Sequence, residues 1–435
     1  MRHFVKWLAV ITAVLLIGAG ATIGYWMPAP ASGAARDFEY KVRDDGVTIT
    51  RYIGKGVNIA IPAKIAGKPV TRIGRAGTFC PLSAGCMGAP GAFQDCKSVT
   101  SVFIPGSVNV IEGNVFDGCA ALISIRVDSG NANYADIGGA LFDKDMTALV
   151  QYPIGKAGTY TIPGGVTAIA DNAFAGCSKL TALTLPHGVT DIGDEAFMGC
   201  TGLTSLAIPD SVSTIGDAAF FGCTGLTSVT IPDSVQNLGG SVFADCTGLT
   251  SAKLPRGITN YDNTFSGCTG LKSFSVPAGT TSISGMFYGC TGLTSVALPN
   301  SMVHVGIAFG GCTSLTSIVI PDGATDISDS FVGCVRLVSV TIPDSVTNID
   351  GAFDGCVSLT SVHVPKGVES LGYETFKGCV GLRSIYFEGG APAMDYGSAF
   401  EQVSPDLTIY HPAGAAGWTN PWNGIPTAGY YKGNP

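Results

Sequence analysis

Charge is scarce in this 435-residue chain: 13% of its residues are Asp, Glu, Lys or Arg, against 46% hydrophobic. That balance excludes a disordered chain, which stays open because it has too little apolar surface to bury. Cations are scarcer still, 24 Lys and Arg against 32 Asp and Glu, for a net charge of −8. The chain therefore lacks the basic footprint of a nucleic-acid binder and has little attraction for anionic membranes. Histidine is sparse too, with His3, His187, His304, His363 and His411 the complete set. None of them shares a motif with a nucleophile or a second ligand. GxSxG, HExxH and Walker-type glycine loops are all missing, so no catalytic residue, cofactor or metal site is expected. What the chain has in quantity is glycine, 60 residues of it. A large apolar content that must turn this often implies many short elements, neither a helical bundle nor a few large domains.

The first 35 residues read as an export segment. Arg2 and Lys6 precede an apolar run from Trp7 to Met27, followed by small-residue sites at Ala29-Pro30-Ala31 and Ser32-Gly33-Ala34. The run resembles a signal peptide and is also long enough to anchor in a bilayer. Membrane contact is expected only there, and the rest of the chain faces outward, secreted or at the cell surface. No cysteine lies near the segment, which argues against a lipoprotein.

Beyond it, FxxC recurs twelve times, with phenylalanine at 93, 116, 174, 197, 220, 243, 265, 287, 309, 331, 353 and 376. From Cys177 to Cys379 consecutive cysteines are 23 or 22 residues apart without exception. An apolar residue follows each cysteine by three positions, and then a run such as Thr227-Ser228-Val229-Thr230-Ile231-Pro232. Val229 and Ile231 alternate with polar residues, and proline has no N–H for a ladder, so a short strand should end there. Asp233-Ser234-Val235 then reads as a turn, and Leu238 to Phe243 as a short helical or extended return arm. A coil this small buries its apolar face only by stacking on its neighbours. The expected fold class is therefore an α/β repeat solenoid, with parallel strands on one face and the FxxC arms on the other.

The run LTSVTIPDSVxxIGxxAFxGC, nearly complete in Leu203 to Cys223 and Leu226 to Cys246, resembles the BspA-type leucine-rich repeats of bacterial surface proteins. The resemblance extends over roughly 37–435, including an opening segment with Ile61-Pro62 and Val70 to Gly74. It also takes in an insertion from Gly139 to Pro163 and a closing segment with Tyr410, Trp418 and Trp422. It implies a capping segment over 36–79, a solenoid over 80–384 with insertions near 80–91 and 128–160, and a C-terminal cap over 385–435. Gly306-Ile307-Ala308 replaces the usual polar stretch before Phe309 and leaves that coil's shape open.

Fourteen cysteines in an exported chain would ordinarily suggest disulfides. Twelve share one repeat position, where rungs about 4.8 Å apart suit a disulfide poorly. A ladder of free thiols, packed as small hydrophobes with S–H donors facing buried carbonyls, is the expectation. Cys80 and Cys86 lie outside it, in a Gly/Pro-containing insertion, and are candidates for a small disulfide loop; two further free thiols are the alternative. The stretch from Asp128 to Asp145 clusters oxygen ligands as a calcium loop does, and equally as ordinary turns do.

Two outward columns alternate with the buried residues of the strand. Five residues after the cysteine, serine stands in eleven of twelve copies, Ala182 being the exception. A hydroxyl ladder, bonded along the sheet, is the structural expectation. Seven residues after it the column varies: Phe103, Arg126, Thr184, Ala207, Thr230, Lys253, Ser275, Ala297, Val319, Thr341, His363 and Tyr386. Phe103, Arg126, Lys253, His363 and Tyr386 are the candidate ligand contacts, because aromatic and cationic side chains anchor interfaces. The resemblance implies an interaction protein that presents this face to a protein or glycan at the cell surface or matrix, as an adhesin does. A structural envelope spacer and a secreted enzyme are the alternatives.

Overall fold

The computed structural model describes residues 34–74, 91–394 and 398–430. Cys80, Cys86 and the export segment lie outside the described residues. Those that are described form coils that stack through two parallel ladders and a turn-rich arm. The first ladder is the expected one. Its strands run from Asn58–Ala60 and Ser101–Ile104 through Ser228–Thr230 to Ser384–Phe387, Thr408–Pro412 and Thr427–Tyr430. Pairing is in register, Val102 opposite Ile125 and Ser228 opposite Ser251. Most of these strands stop just before the repeat's proline, as its missing N–H requires.

The second ladder is built by the Ile-Gly segment. Ala168–Ile169, Asp191–Ile192, Thr214–Ile215 and Asn237–Leu238 pair in parallel. Single bridges continue it through Asn260, Ser282, His304, Asp326 and Asn348.

Of the helical or extended arms expected from sequence, the helical form is not there. Among the described residues the sole helix is a three-residue 3-10 turn at Ala35–Asp37. The reason is local. Each arm holds two residues in the left-handed region, one two places before phenylalanine and one two places after it, such as Glu195 (φ 54°) and Gly199 (φ 68°) around Phe197. Left-handed residues break a right-handed helix and turn the arm's N–H groups toward the next coil. Glu195, Phe197 and Gly199 donate to the carbonyls of Asp217, Ala219 and Phe221 at 2.7–2.8 Å, and the same three bonds recur down the stack. The arm is a run of turns, hydrogen-bonded between coils.

Phenylalanine and cysteine fill that arm. The rings of Phe174, Phe197, Phe220 and Phe243 stack at 5.0–5.1 Å, and all are fully buried. Burying each such ring contributes about 1.5–3 kcal/mol. Each thiol from Cys200 to Cys379 donates its S–H to the phenylalanine carbonyl of the preceding coil at 3.1–3.2 Å, and Cys119 does so to Phe93 at 3.0 Å. The free-thiol ladder is thus the arrangement found, and all twelve repeat cysteines are unbridged.

The repeat length decides a further bond. Coils of 23 residues carry one more residue between the strand-ending proline and phenylalanine, 11 steps from Pro209 to Phe220 against 10 from Pro277 to Phe287. In the longer coils an aspartate accepts an N–H from the next coil: Asp171 from Asp194, Asp194 from Asp217 and Asp217 from Gly240, at 2.7–2.9 Å. A Cβ on Gly216 would stand 2.3 Å from the Asp194 carboxylate, so glycine is required beside this bond. In the shorter coils Asn260, Asp326 and Asn348 instead accept from the residue two places on in their own coil, and Asp350, next to the 23-residue coil that follows, also accepts from the next coil, the N–H of Gly372 at 2.8 Å.

Both ends extend the ring stack with other residues. The hairpin of Phe38–Arg43 and Gly46–Tyr52 pairs onto Lys68–Ile73, and Tyr52 stacks on Phe93. Phe400 stacks on Phe376 at 5.7 Å, with Trp422 edge-on against it. The central insertion folds as Tyr134–Ile137, Ala140–Asp143 and Ala148–Gln151, antiparallel, before Tyr152 resumes the stack against Phe174 at 5.1 Å.

Candidate binding face

Strand pairing on the first ladder is not continuous. Three strands pair at the start and four at the end, but between them lie isolated pairs, such as Ser273–Ser275 with Ser295–Ala297 and Ser317–Val319 with Ser339–Thr341. Ser205 to Ile208 makes no backbone hydrogen bond on either side among the described residues. A cleft of about 740 Å³ opens there, lined by Ser205, Ala207, Ser228, Thr230 and Lys253. A second, of about 470 Å³, lies on the other ladder at the change from 23- to 22-residue coils, between Asp217, Asn237 and Asn260.

The serine column is exposed or half-buried along its length. The expected hydroxyl ladder is not formed. Among the described residues Ser101 bonds Asn58 Oδ1 at 2.8 Å, and no bond joins one column serine to the next. The column serines stand at exposed or half-buried strand positions, open to solvent.

The candidate contacts separate into two unlike ends. Near the N-terminal end, Phe103 is half-buried opposite Ala60 and Arg126. Arg126 is committed: its Nε lies 3.3 Å from Asp136 Oδ2, while Asp136 Oδ1 accepts the Val127 N–H at 2.7 Å. Lys253 stands alone in mid-face, opposite Thr230. The Asp233 carboxyl beneath it is held below its ordinary value, chiefly by Arg256 and least by Lys253.

At the other end His363 and Tyr386 stack at 4.7 Å, and Tyr386 stacks in turn on Tyr410 at 4.8 Å, with planes within 14°. The strands pair in register, so the three rings form one column beside Ser361, Ser384 and Thr408. Among the described residues no group bonds the polar side-chain atoms of these six, while Ser101 and Arg126 at the opposite end are engaged. Sequence reading placed Tyr410 in the closing segment and missed its place in the column. The signal was present: with Phe400 as the phenylalanine and Val403 as the cysteine, Tyr410 falls seven residues later.

The calcium-like stretch is occupied by its own backbone. Asn131 is buried, donates to the carbonyls of Pro105 and Val108, and accepts from Asn133 and Tyr134. Asp143 accepts from Thr147 and Ala148, and the Tyr134 hydroxyl accepts the Ile111 N–H that ends the neighbouring ladder. Among the described residues no group of three His, Cys, Asp or Glu side chains converges as a metal site. Apart from half-buried Cys96, whose thiol Cys119 holds below its ordinary value, the repeat thiols are equally unavailable. Burial pushes Cys290, Cys334 and Cys379 up to about 12, and Cys177, Cys268 and Cys356 higher still.

A family model for the BspA type leucine-rich repeat region matches six copies, over residues 89–156, 156–263 and 284–404. No curated protein matches the chain. Similar solved structures include a leucine-rich repeat protein from Bacteroides ovatus, 22% identical over 87% of this chain and 94% of that one, with a TM-score of 0.44. A leucine-rich cell surface protein from Faecalibacterium prausnitzii is 24% identical over 83% and 96%, with a TM-score of 0.45. The pneumococcal vaccine antigen PcpA is 17% identical over 86% and 96%, with a TM-score of 0.37.

Proposed function

The chain belongs to the BspA-type leucine-rich-repeat family, and from that premise we propose that it is an exported, surface-located interaction protein that takes its partner on the strand face of its C-terminal coils. One observation carries this reading. His363, Tyr386 and Tyr410 make a column of rings whose polar atoms, with those of Ser361, Ser384 and Thr408, have no partner among the described residues. Rings held by ladder strands lose little freedom on binding, and tyrosine combines apolar area with a hydroxyl, which is why it recurs as an interface anchor. Export rests on Arg2, Lys6 and the apolar run that follows.

The reading is tested by retention on extracellular-matrix and envelope fractions. Replacing His363, Tyr386 and Tyr410 together with alanine should lower retention at least tenfold, with circular dichroism and melting unchanged. Phe103→Ala with Arg126→Ala should lower it less, because Arg126 is already paired. Undiminished retention by the triple variant would remove the C-terminal face from the proposal.

A further inference from the structure

Resting on that strand-face reading, we propose that the His363–Tyr386–Tyr410 column is a subsite for a neutral, linear β-1,4-linked glycan lying along the stacking direction, one sugar to each coil.

Charge is the first consideration. The two columns present Ser361, His363, Ser384, Tyr386, Thr408 and Tyr410, without an acidic or basic side chain among them apart from the imidazole. Arg383, on the strand edge beside them, is occupied: its guanidinium bonds the Val380 carbonyl and the Ser404 hydroxyl and lies 3.8 Å from Asp406. A polyanion would find no free counter-charge in the columns, on a chain whose net charge is −8.

Spacing is the second. The rungs repeat at 4.7 and 4.8 Å. An extended peptide advances about 3.3–3.4 Å per residue and presents the same face only every second residue, so it falls out of step within two rungs. A β-1,4-linked hexose chain advances per sugar by nearly the spacing of one rung and turns over at each linkage, so it keeps step with the rungs and every second sugar meets a ring and hydroxyl pair with the same face.

Hydrogen-bond chemistry is the third. Hydroxyls of Ser, Thr and Tyr both donate and accept, as sugar hydroxyls do, and here none of them is bonded among the described residues. The ring faces are the fourth. Stacking covers both faces of Tyr386, but the rung after Tyr410 is Ala428. No ring lies against that side of Tyr410 among the described residues, so a sugar over Ala428 can stack face-on against the phenol ring. Three ringed rungs and the Ala428 rung make a site about four sugars long.

Calorimetric titration of the full chain with cello- and chito-oligosaccharides of two to six units tests the proposal. Affinity should rise at least tenfold from the dimer to the tetramer and then level off. Tyr410→Ala should abolish the gain, and Tyr386→Phe, which keeps the ring and removes the hydroxyl, should weaken binding several-fold. Preference for sulfated or uronic oligosaccharides would overturn the neutral assignment. No saturable binding of any oligosaccharide, while the triple ring variant still loses retention on matrix fractions, would overturn the glycan and leave a protein partner on the same face. Loss of neither would overturn both readings.

Discussion

The phenylalanine side and the strand side of the stack are made by the same coils, yet they hold together differently. On the phenylalanine side, each interface from Cys177 to Cys379 carries stacked rings, backbone bonds from the arm and a thiol-to-carbonyl bond. On the strand side, pairing lapses between one strand pair and the next through the middle of the molecule, and side chains such as Val319 stand 66% exposed. Stability is concentrated where the repeat is uniform, and freedom to vary lies where it is not. Among the described residues the strand side gathers rings at the C-terminal end, where four strands pair without a gap.

Alkaline titration should sharpen this contrast most. Thiols whose folded value is pushed up to about 12 remain protonated in the fold but ionise near 8.5 when exposed. Their contribution is therefore full below about pH 8.5 and is lost as pH climbs toward 12, at roughly 1.4 kcal/mol per pH unit for each thiol. Denaturation midpoints measured from pH 7 to 11 should fall steeply above 9, and a flat profile would mean the ladder is open to solvent. Next in size, Phe309→Ala should destabilise by about 3–5 kcal/mol, whereas Val319→Ala on the opposite side should stay within about 0.5 kcal/mol; equal effects in urea would erase the distinction. Cys290→Ala removes one S–H bond to Phe265 and a small buried volume, for a loss of about 1–2 kcal/mol, read by the same assay. Smallest is a gain. Ile307 holds a left-handed φ of 61° with its side chain in solvent, and Ile307→Asn should stabilise by about 0.5–1 kcal/mol, since asparagine tolerates that region.

Much of this was legible in the residues. FxxC spacing announces stacked coils, Pro232 and its equivalents end the strands, and the thiol ladder follows from cysteine's size and its weak donor. The arm was left open between helical and extended although part of the signal against a helix was visible: glycine precedes cysteine in ten of the twelve copies, which is the left-handed position after phenylalanine. Its counterpart before phenylalanine gives no warning, because Asn172, Glu195, Ala218, Ser241 and Ile307 all adopt the same φ, held there by bonds to the next coil. The Gly306-Ile307-Ala308 departure leaves the arm unchanged: Ile307 N–H still reaches the Ser328 carbonyl at 2.9 Å. Arg126 could not be judged from sequence, since its partner Asp136 lies within an insertion whose folding the repeat does not dictate.

By itself, then, the sequence determined the coil, its buried rungs and the two outward columns, because those follow from periodicity, and periodicity is local information repeated. Only the tertiary structure decided which of the outward residues are available. Availability depends on what a neighbouring coil or insertion places alongside: an aspartate beside Arg126, a tyrosine beside Tyr386, and beside Tyr410 no more than the methyl group of Ala428.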